Sequence, residues 1–171
     1  MRRTLLLTLS LSLSLPLFGQ ARRVDEAVLK NAAKSSTDGD WLTHGLTPAE
    51  TRFSPLKQID AGNVMRLGLA WALTVGEGGG NQEATPLVWN NTIFSVTNYS
   101  IVFAIDARTG KEKWRWDPDV NRIPTANKMC CGVVNRGLAL YHSKIYVPVN
   151  DGRLEALDAD TGRPLWEARV T

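Results

Sequence analysis

The chain has 171 residues, of which 43% are hydrophobic and 22% charged, with a formal net charge of +3, two cysteines and two histidines. That length accommodates one ordinary domain, and the absence of a basic stripe interleaved with aromatic residues sets aside a nucleic-acid partner. His44 and His142 are too few and too far apart to suggest a ligand set or a proton relay, and they read as structural residues.

Residues 1–21 read as a secretory leader that does not belong to the folded domain. Arg2 and Arg3 give a positive start, and Leu5 to Leu17 form an apolar run. Gly19 and Ala21 place small residues at a plausible cleavage site after Ala21. The apolar run is about 13 residues long, short of the roughly 20 needed to cross a bilayer, so a stable membrane span is not expected. Without Arg2 and Arg3, 18 basic residues face 17 acidic ones, and the charge carries little information about partners. Residues 22–36 are predicted to form one short helix, with Val24, Ala27, Val28 and Ala32 on a shared face. Thr37-Asp38-Gly39-Asp40 breaks it.

After Trp41 the texture changes to short β-type runs separated by Gly, Asn, Asp and Pro, and an internal repeat emerges. Ala104 to Trp114 and Ala156 to Trp166 both read A-x-D-A-x-T-G-x-x-x-W, offset by 52 residues without a gap. The match extends backward through Ile93-Phe94 and Ile145-Tyr146, and through Asn98 and Asn150. Thr92–Thr97 and Lys144–Val149 are predicted strands, rich in β-branched and aromatic residues. Turns follow at 98–100 and 150–152, then return strands at 101–105 and 153–157. Further apolar runs precede each unit at 85–88 and 137–140. Asp-x-x-Thr-Gly is a tight turn whose Asp and Thr side chains bond nearby amides. A strand bearing the Trp closes the unit. Four short strands per repeat describe a β-propeller blade, with a plain antiparallel sandwich as the alternative. A degraded third copy ends at Trp71. Trp71, Trp114 and Trp166 are read as packing residues, Trp116 as a blade-edge cap, and Trp41 and Trp89 are left unassigned.

Cys130 and Cys131 are adjacent. An exported chain meets an oxidising compartment, so a disulfide between these neighbours and a pair of free thiols both remain open. No Cys or His lies near them at metal-ligand spacing.

The repeats resemble the tryptophan docking motif of the eight-bladed quinoprotein alcohol dehydrogenases, which depend on pyrroloquinoline quinone (PQQ). Three further segments carry the resemblance. Asp40-Trp41-Leu42-Thr43-His44-Gly45 with Arg52-Phe53-Ser54-Pro55-Leu56 resembles the entry to the family's first blades. Gln82-Glu83-Ala84-Thr85-Pro86-Leu87 resembles a segment bearing a cofactor-binding Glu, and Cys130-Cys131-Gly132-Val133-Val134-Asn135-Arg136-Gly137 resembles a vicinal disulfide followed by a cofactor-binding Arg. Gly132 stands where many members have Asp.

The resemblance implies an all-β fold: four-stranded antiparallel blades forming part of an eight-bladed propeller, about two to three of them within residues 37–171. It implies that Cys130 and Cys131 join and stack on the quinone, that Arg136 grips one of its carboxylates, and that Glu83 binds the cofactor. A planar guanidinium fork suits a carboxylate. It implies oxidation of a primary alcohol in the periplasm, with electrons passing to a cytochrome c. The family's Ca²⁺ ligands and catalytic Asp belong to later segments, so no catalytic base and no metal ligand is expected in this chain, and it is expected to be inactive alone. The rival readings are a non-enzymatic propeller scaffold of the outer-membrane-assembly type, or half of a split propeller closed by a partner chain.

Overall fold

The computed structural model describes residues 23–35, 39–75 and 81–170. The leader expected at residues 1–21 lies outside the described residues. The single helix expected at 22–36 is instead two short ones, α1 (Glu26–Lys30) and α2 (Ala32–Ser35). Asn31 causes the break: its side-chain Nδ2 donates to the Ala27 carbonyl at 2.9 Å, competing for an acceptor that a continuing helix needs. The start of α1 is fixed by Asp25, whose carboxylate accepts from the Val28 amide at 2.9 Å.

Eight strands follow in two sheets. β1 (Leu87–Trp89), β2 (Thr92–Val96), β3 (Val102–Asp106) and β4 (Glu112–Trp116) pair in sequence order, as do β5 (Ala139–Tyr141), β6 (Lys144–Pro148), β7 (Arg153–Asp158) and β8 (Pro164–Arg169). All neighbours are antiparallel. The repetition extends to irregularities: a register shift falls between Ala104 and Ile105 in the first sheet and between Ala156 and Leu157 in the second. Hairpins β1–β2 and β5–β6 turn through paired left-handed residues, Asn90-Asn91 and His142-Ser143. Two successive positive φ values match the twist of the flanking strands.

The sheets pack face to face as consecutive propeller blades. Their shared core includes Leu87, Trp89, Phe94 and Trp114 from the first and Leu140, Ile145, Val147 and Leu157 from the second. Trp114 crosses the interface. Its ring lies against Gly162, and its Nε1 donates to the Ala159 carbonyl at 3.0 Å. Trp71 treats the first sheet identically, lying against Gly110 and donating to Ala107 at 3.1 Å. Trp71 therefore has the packing role expected of the degraded copy, without a sheet of its own among the described residues.

The N-terminal segments brace the two inner edges. Trp41 pairs with Val88 through reciprocal backbone bonds of 2.7 and 2.8 Å, and the His142 amide donates to Val24 at 2.7 Å. Trp89 is fully buried, and Trp116 pairs with Val102 at the sheet edge. His44 accepts from Arg52 at 2.7 Å and His142 stacks on Tyr141, both structural positions.

Candidate cofactor-binding site

The turns joining second to third strands, at 98–100 and 150–152, lie at one end of the two blades. The long connection between β4 and β5 crosses the same end. It carries α3 (Arg122–Lys128), the cysteines and Arg136. Arg122 sits over the Tyr99 ring at 5.1 Å, tying the connection to the first blade's turn.

Residues 133–137 are held one after another. The Tyr99 amide donates to the Val133 carbonyl at 3.1 Å, Asn150 Nδ2 to Val134 at 3.2 Å, and the Thr85 amide to Arg136 at 3.2 Å. Asn135 is buried. Its Nδ2 donates to Ser100 Oγ at 3.1 Å and to the Pro148 carbonyl at 2.7 Å, and its Oδ1 accepts from the Gly137 amide at 3.1 Å.

This fastening brings the four residues singled out from the sequence to one place. Arg136 Nη2 meets Glu83 Oε2 at 3.0 Å. Cys130 and Cys131 are exposed, and their sulfurs lie 3.0 Å apart as unjoined thiols. The Cys131 thiol is pushed above its ordinary range, first by its hydrogen bond with Cys130 and by that neighbour's charge. Glu83 pushes it the same way and Arg136 opposes. Those opposing effects require both charges to stand within electrostatic reach of Cys131.

The arrangement fits a carboxylated planar ligand. Arg136 carries five N–H donors and Glu83 takes up one edge, so donors remain for a ligand carboxylate. The Glu83–Arg136 pair is neutral overall, so the acid adds no net negative charge beside the guanidinium. A hollow of about 360 Å³ lies alongside, lined by Met129, Val134, Arg136, Pro148 and Asn150 among others. Among the described residues, no group of three or more His, Cys, Asp or Glu side chains is placed to hold a metal ion.

Sequence reasoning missed the supports. Asn135 stood within the quoted cysteine-to-Arg136 string, and Asn150 stood out as the repeat partner of Asn98. Ser100, fully buried with φ of 62°, carried no signal beyond its place in a turn.

Comparison with known proteins identifies the family of this fold. The PQQ family described as "Glucose/ethanol/alcohol dehydrogenase, beta-propeller domain" matches residues 41–167. A quinohemoprotein alcohol dehydrogenase of Pseudomonas putida is 49% identical over 95% of this chain and 23% of its own length. A 1-butanol dehydrogenase (cytochrome c) of Thauera butanivorans is 45% identical over 75% of this chain and 18% of its own. The crystal structure of the quinohemoprotein alcohol dehydrogenase from Comamonas testosteroni superimposes with a TM-score of 0.79 at 45% identity, covering 86% of this chain and 22% of that one. The chain thus spans about a fifth of the length of these relatives. With matched repeats, two four-stranded blades joined by a docked tryptophan, and a family match over most of its length, the chain belongs to the PQQ-dependent alcohol dehydrogenase family of β-propellers.

Proposed function

We propose that the polypeptide containing this chain is an exported PQQ-dependent alcohol dehydrogenase that oxidises primary alcohols, and that these residues form one wall of its cofactor site. The observation that carries the reading is the convergence of Cys130, Cys131, Arg136 and Glu83 at one end of the blades. Arg136 holds a ligand carboxylate through its free donors, and Glu83 keeps the guanidinium oriented. Cys130 and Cys131 present a compact face for a planar ring. In an oxidising compartment they close to a vicinal disulfide, losing two protons and passing two electrons to a disulfide-type oxidant. PQQ, when bound, supplies an electrophilic quinone that accepts a hydride from the alcohol.

Ca²⁺ and a general-base Asp belong to the reading as contributions from other segments, so these 171 residues alone should not turn over alcohol. The leader at 1–21 supports a periplasmic location, and the cytochrome c named for the Thauera relative supports such an acceptor here.

The test uses the complete natural polypeptide, freed of cofactor and titrated with PQQ in the presence of Ca²⁺. Tryptophan quenching follows binding, and dye-linked oxidation of ethanol and 1-butanol follows turnover. Saturable binding, alcohol-dependent turnover, and roughly tenfold or greater weakening by Arg136→Ala are expected, since a charge-assisted bond is lost. Absence of PQQ binding, or a loaded protein without alcohol turnover, overturns the reading.

A further inference from the structure

Three polar side chains next to the site residues hydrogen-bond to one another as a unit. Ser100 is fully buried, Asn135 nearly so, and Asn150 is partly buried. Ser100 Oγ donates to Asn150 Oδ1 at 2.6 Å and accepts from the Asn150 amide at 3.1 Å and from Asn135 Nδ2 at 3.1 Å. One hydroxyl proton and two lone pairs are thereby used in full. Asn135 spends its second amide proton on the Pro148 carbonyl, and Asn150 spends one on Val134. The unit joins the turn of the first blade, the turn of the second, and the connection that carries the cysteines.

We infer that Ser100, Asn135 and Asn150 are positioning residues that set Arg136 and the cysteine pair at the geometry the cofactor requires. The inference rests on the PQQ reading above and deepens it. Arg136 follows Asn135 directly, and its own carbonyl is fixed by Thr85, two residues from Glu83. Its guanidinium is largely exposed, with 71% of the side chain accessible, so packing does not orient it. Glu83 orients the guanidinium, and the backbone on either side sets where the side chain starts. The backbone is held by bonds whose loss leaves buried donors and acceptors unpaired, which makes the unit cooperative. Ser100 has φ of 62°, where a side chain is normally a burden. Glycine would suit that backbone better, so the hydroxyl is the reason for a serine there.

Ser100→Gly removes the hydroxyl while easing the backbone, and Asn135→Ala removes the other half. Both variants and their combination are made in the complete natural polypeptide. Two measurements are taken: PQQ affinity, and amide hydrogen exchange in the cofactor-free protein. Each single variant is expected to weaken PQQ binding roughly tenfold, and the double variant little more than either, as for residues acting as one unit. Exchange at the Gly137, Tyr99 and Thr85 amides, which donate into residues 133–137, is expected to accelerate at least tenfold while Ile145 and Leu157 in the second blade stay unchanged.

Unchanged affinity and exchange in the variants overturn the inference. So does acceleration of equal size at Ile145 and Leu157, which would mark a general stabilising role. If the unaltered polypeptide binds no PQQ, the functional reading fails separately. The exchange data then decide the inference: a response confined to the Gly137, Tyr99 and Thr85 amides supports the positioning of residues 133–137, and no response overturns it.

Discussion

Trp114 and Gly162 occupy one another's space: a Cβ built on Gly162 would stand 2.5 Å from Cε3 of the indole. The glycine is required twice, since its φ of 70° also lies in the left-handed region. The same relationship holds between Trp71 and Gly110, where the corresponding distance is 2.5 Å to Cδ2. Trp114 is 9% exposed and its Nε1 is satisfied across the interface, so it acts as the pin between blades. Trp114→Ala is expected to cost about 3–5 kcal/mol, in the range for a buried aromatic. Gly162→Ala is expected to cost about 1–3 kcal/mol through overpacking. Urea unfolding of each variant checks both values. A Gly162→Ala protein as stable as its parent would show that the indole is free to withdraw.

The docking was legible in the sequence because it depends on a fixed spacing. Thr-Gly and Trp recur at an offset of 52 residues, and both fall at the same points of the two sheets. Cys130, Cys131, Arg136 and Glu83 were singled out for a different reason: the segments that carry them resemble cofactor-binding segments of the family. Ser100, Asn135 and Asn150 were not. Their role arises from three segments meeting in space, and a buried serine in a turn looks like any other turn residue until its partners are placed. The helix break at Asn31 was missed because apolar periodicity records which face is buried and is blind to a side chain that caps its own helix.

The two Asp-x-x-Thr-Gly turns should make the fold acid-sensitive. Asp106 Oδ1 accepts from the Thr109 hydroxyl at 2.9 Å, the Thr109 amide at 2.8 Å and the Arg108 amide at 3.1 Å. The Thr109 hydroxyl is the leading reason its carboxyl is held below the ordinary 3.8. At Asp158 burial pushes the carboxyl up, but the bonds from Thr161 and Asp160 outweigh it and the result is again a lowered value. A carboxyl whose folded value is depressed contributes stability that is fully present above its unfolded value. That stability is lost as pH falls through the folded value. Melting temperature should therefore decline below about pH 4. Asp106→Asn with Asp158→Asn should melt at a lower temperature near neutrality and lose less on acidification. Parallel acid limbs for parent and variant would show that these turns do not titrate with folding.

Glu155 should act in the opposite direction. It is buried between the blades, directly across from Glu167 in the β7–β8 register. Burial is the first reason its carboxyl is raised above the ordinary 4.5, followed by its hydrogen bond with Glu167. Arg153 offsets part of this, reaching Glu155 at 3.1 Å and Glu167 at 3.4 Å while holding Asp151 at 2.8 Å. A raised folded value means that the contribution to stability is complete below the unfolded value and is lost as pH rises through the folded one. Glu155→Gln stays neutral throughout and leaves Arg153 paired with Asp151. Its melting temperature should match the parent near pH 4 and exceed it once the pH rises above the ordinary 4.5. A variant less stable than the parent at pH 7 would show that the Arg153 pairing outweighs the burial of charge.

The gathering of Cys131, Cys130, Arg136 and Glu83 can be checked without any cofactor, by thiol chemistry. The nucleophile is the thiolate, so the pH at which Cys131 becomes reactive follows its proton affinity. In the folded protein that affinity is raised, chiefly by the hydrogen bond and charge of Cys130, with Glu83 adding and Arg136 subtracting. After reduction, alkylation of Cys131 followed by mass spectrometry across pH 7 to 10 gives the profile directly. Cys130→Ala should shift that profile furthest toward lower pH, because it removes the leading cause. Glu83→Gln should shift it less in the same direction. Arg136→Ala should shift it toward higher pH, because it removes a cation that favours the thiolate. Arg136 is largely exposed and Glu83 partly so, and an ion pair open to solvent contributes at most about 1 kcal/mol to stability, so these two variants should melt close to the parent. The opposite signs are the decisive feature. Looser packing of the connection would move both profiles the same way. Charges standing on either side of one thiol move them apart, and profiles that coincide with the parent's would mean that Glu83 and Arg136 do not stand beside Cys131 in solution.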